Sequence, residues 1–130
     1  MTEHFSKEEF TRSETADRLV IDNTLPDDLI ETAKYTLSRL EEIRQAYGKP
    51  IIITSGYRCP ELNKAVGGKP NSQHLKAEAV DLKWDLDLYK LIKDHFEFDQ
   101  LIIEKNSRTK WIHLSFKRSN ERNQSFNLSL

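Results

Sequence analysis

The chain has 130 residues, 37% hydrophobic and 32% charged, with a formal net charge of −1. That length fits one domain spanning residues 1–130 with a modest core, and the charge balance leaves no basic field to hold nucleic acid or an anionic membrane. The single cysteine, Cys59, excludes an intramolecular disulfide, and no apolar run nears the ~20 residues needed to span a bilayer.

The opening segment MTEHFSKEEF has no charged stretch followed by an apolar one, so it reads as no secretory signal and as cytoplasmic synthesis. Ser6 with Glu9 three residues on fits a capping box and predicts a short helix. A second one-turn element follows Ser13. Asn23 to Pro26 reads as a turn, with Pro26 an early residue of a helix reaching Tyr47. Along it Leu29, Ala33, Leu37, Leu40 and Tyr47 share one face, and Gly48 and Pro50 end it. Ile51 to Thr54 reads as a short buried strand. Pro60 to Val66 gives one or two helical turns stopped by Gly67-Gly68. Cys59, ahead of Pro60, reads as a small half-buried residue, a nucleophilic role being formally open.

Lys69 to Lys76 is a polar loop, and Ala77 to Leu82 alternates as a strand. Asp85 caps a helix whose buried face carries Leu88, Leu91, Ile92 and Phe96. Phe98 to Glu104 and Lys110 to Phe116 predict a strand pair turning at Asn106 to Thr109, and Ser125 to Leu128 a last, weak strand. Lys117, Arg118 and Arg122 read as solvated surface, diluted by Glu121. The expected class is α+β: helices first, then a small, mainly antiparallel sheet with one helix packed on it.

Three segments hold the candidate site: Ser55-Gly56-Tyr57-Arg58, Ser72-Gln73-His74 through Asp81, and Trp111-Ile112-His113. Two imidazoles and one carboxylate, from His74, His113 and Asp81, form a three-ligand set that leaves a position open for water, the design of a catalytic zinc site. Each ligating histidine should bond its second ring nitrogen to a backbone or carboxyl oxygen. On the strand, Ala77, Ala79 and Asp81 would share a face, the alanines leaving room for a metal and a substrate backbone.

Strand register tests the third ligand. If Asn106 to Thr109 form a four-residue loop, Lys105 pairs with Lys110, Glu104 with Trp111, Ile103 with Ile112, and Ile102 with His113. Leu101, Ile103, Ile112, Leu114 and Phe116 then take the core face, and Glu104, Trp111, His113 and Ser115 the other. Glu104 lies diagonal to His113, within reach for a general base. A lone His-x6-Asp pair arises often by chance, so the case rests on the whole ordered pattern.

That pattern, SGYRCPELNKAVGGKPNSQHLKAEAVDLK followed by QLIIEKNSRTKWIHLSF, resembles the M15 family of zinc peptidases of the D-alanyl-D-alanine carboxypeptidase type, and most of all its small phage-like branch. Phe5-Ser6 through Phe10-Thr11, with Ser13, Ala16 and Ile21-Asp22-Asn23, extends the resemblance over roughly residues 5 to 116. It implies the hedgehog/D-Ala-D-Ala peptidase-like fold and one zinc ion on His74, Asp81 and His113. It implies a substrate-orienting or oxyanion-side role for Arg58, and a loop-shaping role for Ser72 and Asn63, with Trp111 beside them. The implied substrate is a peptidoglycan stem peptide, cut at an amide beside a D-amino acid, by a monomer that binds neither nucleic acid nor membrane and, as an endolysin, acts on the wall after release.

Two departures stand out. Ala77 occupies a position that is usually Gly. Lys110 stands where several relatives place an acid, three residues before the last histidine, and Ser107, six before, is not acidic either. Glu104 is then the acid on the correct face. The rival reading is a non-catalytic zinc module of the same fold, as in hedgehog signalling domains, that binds a partner and turns over nothing.

Overall fold

The caps in the first fifty residues act as read, but Pro26 is extended and stands just ahead of the helical turns rather than within them. The computed structural model describes residues 1–130. Helix α1 (Lys7–Thr11) starts where Ser6 Oγ accepts the Glu9 amide while the Glu9 carboxylate accepts the Ser6 amide. Helix α2 (Glu14–Leu19) is capped in the same sense by Ser13. A 3-10 turn at Asp27–Leu29 follows Pro26 and leads into α3 (Ile30–Tyr47). Helix α3 stops at Gly48, whose φ of 74° lies in the left-handed region that a residue without a β-carbon enters freely. Ala33, Leu37, Leu40 and Ile43 of α3 are fully buried.

Strand β1 (Ile53–Ser55) begins later than the isoleucine run suggests. Ile51 and Ile53 are buried in the core, but Ile52 between them, just ahead of the strand, is 48% exposed. Helix α4 (Pro60–Ala65) is capped by Cys59, whose Sγ accepts the Leu62 amide at 3.4 Å. After a 3-10 turn at Gln73–Lys76 come β2 (Ala79–Lys83), α5 (Leu86–His95), β3 (Gln100–Lys105), β4 (Lys110–Ser115) and β5 (Gln124–Ser129). The α+β expectation holds: one sheet in the order β1-β2-β4-β3-β5, antiparallel throughout except that β5 joins β3 in parallel.

Pairing of β3 with β4 places Glu104 opposite Trp111 and Ile102 opposite His113, the register expected from the sequence. Asn106 Oδ1 closes the turn by accepting the Arg108 and Thr109 amides. Val80, Leu82, Leu101, Ile112 and Leu114 face a core shared with α3 and α5. Asp81 and His113 face the other way, beneath the segment from Arg58 to Lys76 that brings His74 over them.

Two further expectations need correction. Ala77 is not a strand residue: it ends the 3-10 turn at φ 60°, packs in the core, and its carbonyl accepts the Thr36 hydroxyl at 2.7 Å. Only Ala79 flanks Asp81 on the site face. Arg122 is not simply solvated, since its guanidinium grips the fully buried Asp99 carboxylate at 2.6 Å; an unpaired carboxylate at that depth would be costly. No helix is long and apolar enough to cross a membrane.

Candidate active site

His74 sits in the short turn after Ser72, whose Oγ accepts the His74 amide at 3.2 Å. Its Nδ1 lies 2.7 Å from the Gly56 carbonyl oxygen. A carbonyl only accepts, so Nδ1 carries a hydrogen and Nε2 is the nitrogen turned toward the cluster, where it can serve a metal. That Nε2 is 3.3 Å from Asp81 Oδ1. Asp81 and His113 are cross-strand partners on β2 and β4, and His113 Nδ1 lies 3.1 Å from the same Oδ1. All three side chains are buried, and their donor atoms lie within 4.8 Å of one another.

This set fits a first-row metal. A tetrahedral zinc centre with bonds of ~2.0–2.2 Å has neighbouring donors ~3.3–3.5 Å apart, close to the separations of 3.1 and 3.3 Å. Three protein donors leave the fourth position open, as catalytic sites do. His74 meets the expectation of a second-nitrogen partner, whereas His113 Nε2 makes no hydrogen bond within the protein. His74 is thus the more rigidly oriented of the two rings.

Electrostatics also favour a cation. Burial pushes the Asp81 carboxyl up, but the charge of His74 and the hydrogen bonds of His113 and His74 hold it well below the usual carboxylate range. Burial alone would lower His113; the hydrogen bond and charge of Asp81, then the charge of Glu104, outweigh it, and its pKa is raised.

Arg58 lies at the β1 side of the cluster. Its Nε donates to Ser55 Oγ at 3.2 Å, Nη1 to Asn63 Oδ1 at 3.1 Å, and Nη2 to Asp81 Oδ2 at 3.4 Å. A guanidinium has five N–H groups, so two stay free for a ligand. Asn63 is buried and also donates to the Lys69 carbonyl, tying Arg58 to the loop that presents His74. A β-carbon on Gly68 would collide with Asn63 Oδ1 and Arg58 Nη1. Arg58→Lys would keep the charge and lose the fork; zinc content is expected to stay while kcat/KM falls roughly 10–100-fold, the worth of one or two charged hydrogen bonds. Near-normal kinetics would place Arg58 outside the reaction.

Glu104 is on the His113 face, its side chain 15% exposed, with Oε1 4.0 Å from His113 Nδ1. Trp111 Nε1 donates to the same Oε1 at 2.8 Å, fixing the carboxylate and leaving Oε2 free. The structure thus gathers His74, Asp81, His113, Arg58, Asn63 and Ser72 with Glu104 and Trp111 at one place. Sequence reasoning missed the supports beneath them. Gly56 supplies the carbonyl that orients His74, and a β-carbon there would strike the Phe10 backbone. Asn23 donates to the Thr11 and Tyr57 carbonyls and accepts the Cys59 amide, pinning the turn before Arg58. Gly56, two residues before Arg58, was the available signal; Asn23, far from both in sequence, offered none.

Comparison with known proteins agrees with this geometry. Over 51 residues the chain is 41% identical to the zinc D-Ala-D-Ala carboxypeptidase of Streptomyces albus G. The alignment covers 38% of this chain and 20% of that protein, so the chain spans only a fifth of the length of the relative it matches. The family model described as Peptidase M15 matches residues 3–115, a span that takes in both histidines, Asp81, Arg58 and Glu104. The chain therefore belongs to the peptidase M15 family.

Proposed function

We propose that the protein is a zinc-dependent peptidase that hydrolyses an amide bond beside a D-amino acid in peptidoglycan stem peptides. The observation that carries the reading is the buried convergence of His74 Nε2, Asp81 Oδ1 and His113 Nδ1 beside a guanidinium with unused donors. His74, Asp81 and His113 would hold a zinc ion, which would supply Lewis-acid polarisation of the substrate carbonyl and activation of water. Arg58 orients the substrate through a carboxylate or carbonyl oxygen. Glu104, held by Trp111, takes a proton from the attacking water and returns it to the leaving amine. Ser72 and Asn63 keep His74 and Arg58 in place.

An endolysin role, with a monomer made in the cytoplasm and reaching the wall at lysis, is the setting we attach to this chemistry; the likeness to the small phage-like branch supports it. Incubation with purified peptidoglycan and mass analysis of the fragments tests the reading. Loss of a terminal D-amino acid marks a carboxypeptidase, and separation of cross-linked stems an endopeptidase. Either activity should vanish with chelator and return with zinc. One zinc per chain with no cleavage of any stem peptide would favour the non-catalytic module.

A further inference from the structure

The sheet face that carries the three ligands continues beyond them. In register order, Asp81 lies opposite His113, His113 opposite Ile102, and Ile102 opposite Phe126; Glu104 lies opposite Leu128. Ser125, between β5 residues of the other parity, has its Oγ 3.5 Å from the Tyr89 hydroxyl of α5, on the core side of the sheet. Alternate residues of a strand point to opposite faces, so Phe126 and Leu128 turn to the face of His113 and Glu104.

There they form an apolar ledge, with Phe126 42% exposed. A large apolar side chain exposed on an edge strand is a liability for solubility unless it serves a contact. Strand β5 also lies beyond residues 3–115 of the family match.

Distances give the ledge a place in the reaction. Strands spaced ~4.8 Å apart put β5 about 10 Å from β4 and His113. Arg58 stands on the opposite side of the ligands, toward β1. Across this face, in order, lie a cation, the metal site, buried Ile102 and the apolar ledge. A peptide with its terminal carboxylate toward Arg58 runs its acyl part toward β5. At ~3.3 Å per extended residue, the residue over the ledge is about the third on the acyl side of the cleaved bond.

The geometry points to Phe126 and Leu128 as a specificity subsite that binds the aliphatic portion of that third side chain. This rests on the peptidase reading above and adds which part of the substrate is selected.

Three synthetic probes test it: acetyl-D-Ala-D-Ala, which ends short of the ledge, and acetyl-Leu-Ala-D-Ala-D-Ala and acetyl-Ser-Ala-D-Ala-D-Ala, which reach it. Wild-type protein should favour the leucine probe over the serine probe through KM. Phe126→Ser/Leu128→Ser should raise KM for the leucine probe roughly tenfold, with kcat, zinc content and turnover of acetyl-D-Ala-D-Ala within twofold of wild type. Phe126→Ser alone, at a half-exposed side chain, should do the same at about threefold. Unchanged KM for the leucine probe overturns the subsite, as does an equal fall on all three probes. Cleavage of no probe by a wild type that does cleave purified peptidoglycan overturns the subsite alone, and cleavage of neither overturns the peptidase reading with it.

Discussion

Protein carrying alanine at position 74 is expected to be purified without zinc and to hydrolyse stem peptides at background rate. His74 is the ligand with the most rigid support: its amide is held by Ser72, its ring by the Gly56 carbonyl, and its backbone carbonyl by the Arg58 amide. Loss of a partner that merely orients a metal ligand typically costs ~10–100-fold in affinity. Deleting the ligand itself, and leaving Asp81 and His113 as a two-point site, should cost more. Zinc content at stoichiometric loading is the direct measurement, and a full equivalent retained by His74→Ala would mean that the ligand set is wrong.

The same centre should respond to pH with a definite sign. In the metal-free protein the pKa of His113 is raised above its ordinary 6.5 by the hydrogen bond and charge of Asp81, so it holds its proton to higher pH than a free imidazole, paired with ionised Asp81. That pairing contributes stability fully present below the unfolded value and lost as pH rises through the folded one. Zinc needs the deprotonated ring and must displace this proton. Zinc affinity, and the rise in Tm on adding zinc, should therefore increase with pH across the range just above 6.5. A thermal shift independent of pH there would mean that His113 does not bind the metal.

Legibility from the sequence followed the range of the interactions. The β3–β4 register was readable because a four-residue loop at Asn106 to Thr109 sets the pairing and the alternation of Leu101, Ile103, Ile112 and Leu114 sets the buried face. His113 and Glu104 came out on the correct face for that reason. Capping was readable at Ser6, Ser13 and Asp85 because each cap is made within three residues. Ala77 was misplaced because a buried residue ending a turn has the same spacing as one in a strand. Its position is set by Thr36, 41 residues away, and its φ of 60° explains why glycine suits this place, an L side chain costing ~1 kcal/mol there. The bonds from Arg122 to Asp99 and from Arg58 to Asp81 each span 23 residues, and no local pattern announces them. The parallel pairing that turns Phe126 toward the site was equally invisible.

Glu104→Gln is the sharper test of mechanism, because it should leave the fold and the metal untouched. Glutamine keeps the length of the side chain and an oxygen to accept from Trp111 Nε1, which now bonds Glu104 Oε1 at 2.8 Å. It lacks a group that can take a proton at neutral pH. General acid–base assistance is typically worth ~10²–10⁴ in rate, so kcat should fall by that factor while KM and zinc content change little. Lys110, three residues before His113, cannot serve in its place: it lies on the core-side parity of β4, its ammonium over the Trp84 ring at 4.2 Å. The opposite expectation follows if Glu104 serves only as an anchor for Trp111 and a weak partner for His113 at 4.0 Å. Glutamine would then preserve the anchor and activity would hold within a few-fold. Trp111→Phe separates the two. It removes the indole donor without touching the carboxylate, so a general base would be misdirected and kcat reduced about tenfold, the cost of one lost hydrogen bond to a charged group. Full activity in both variants would exclude Glu104 from the reaction and send the search for the base to the substrate itself.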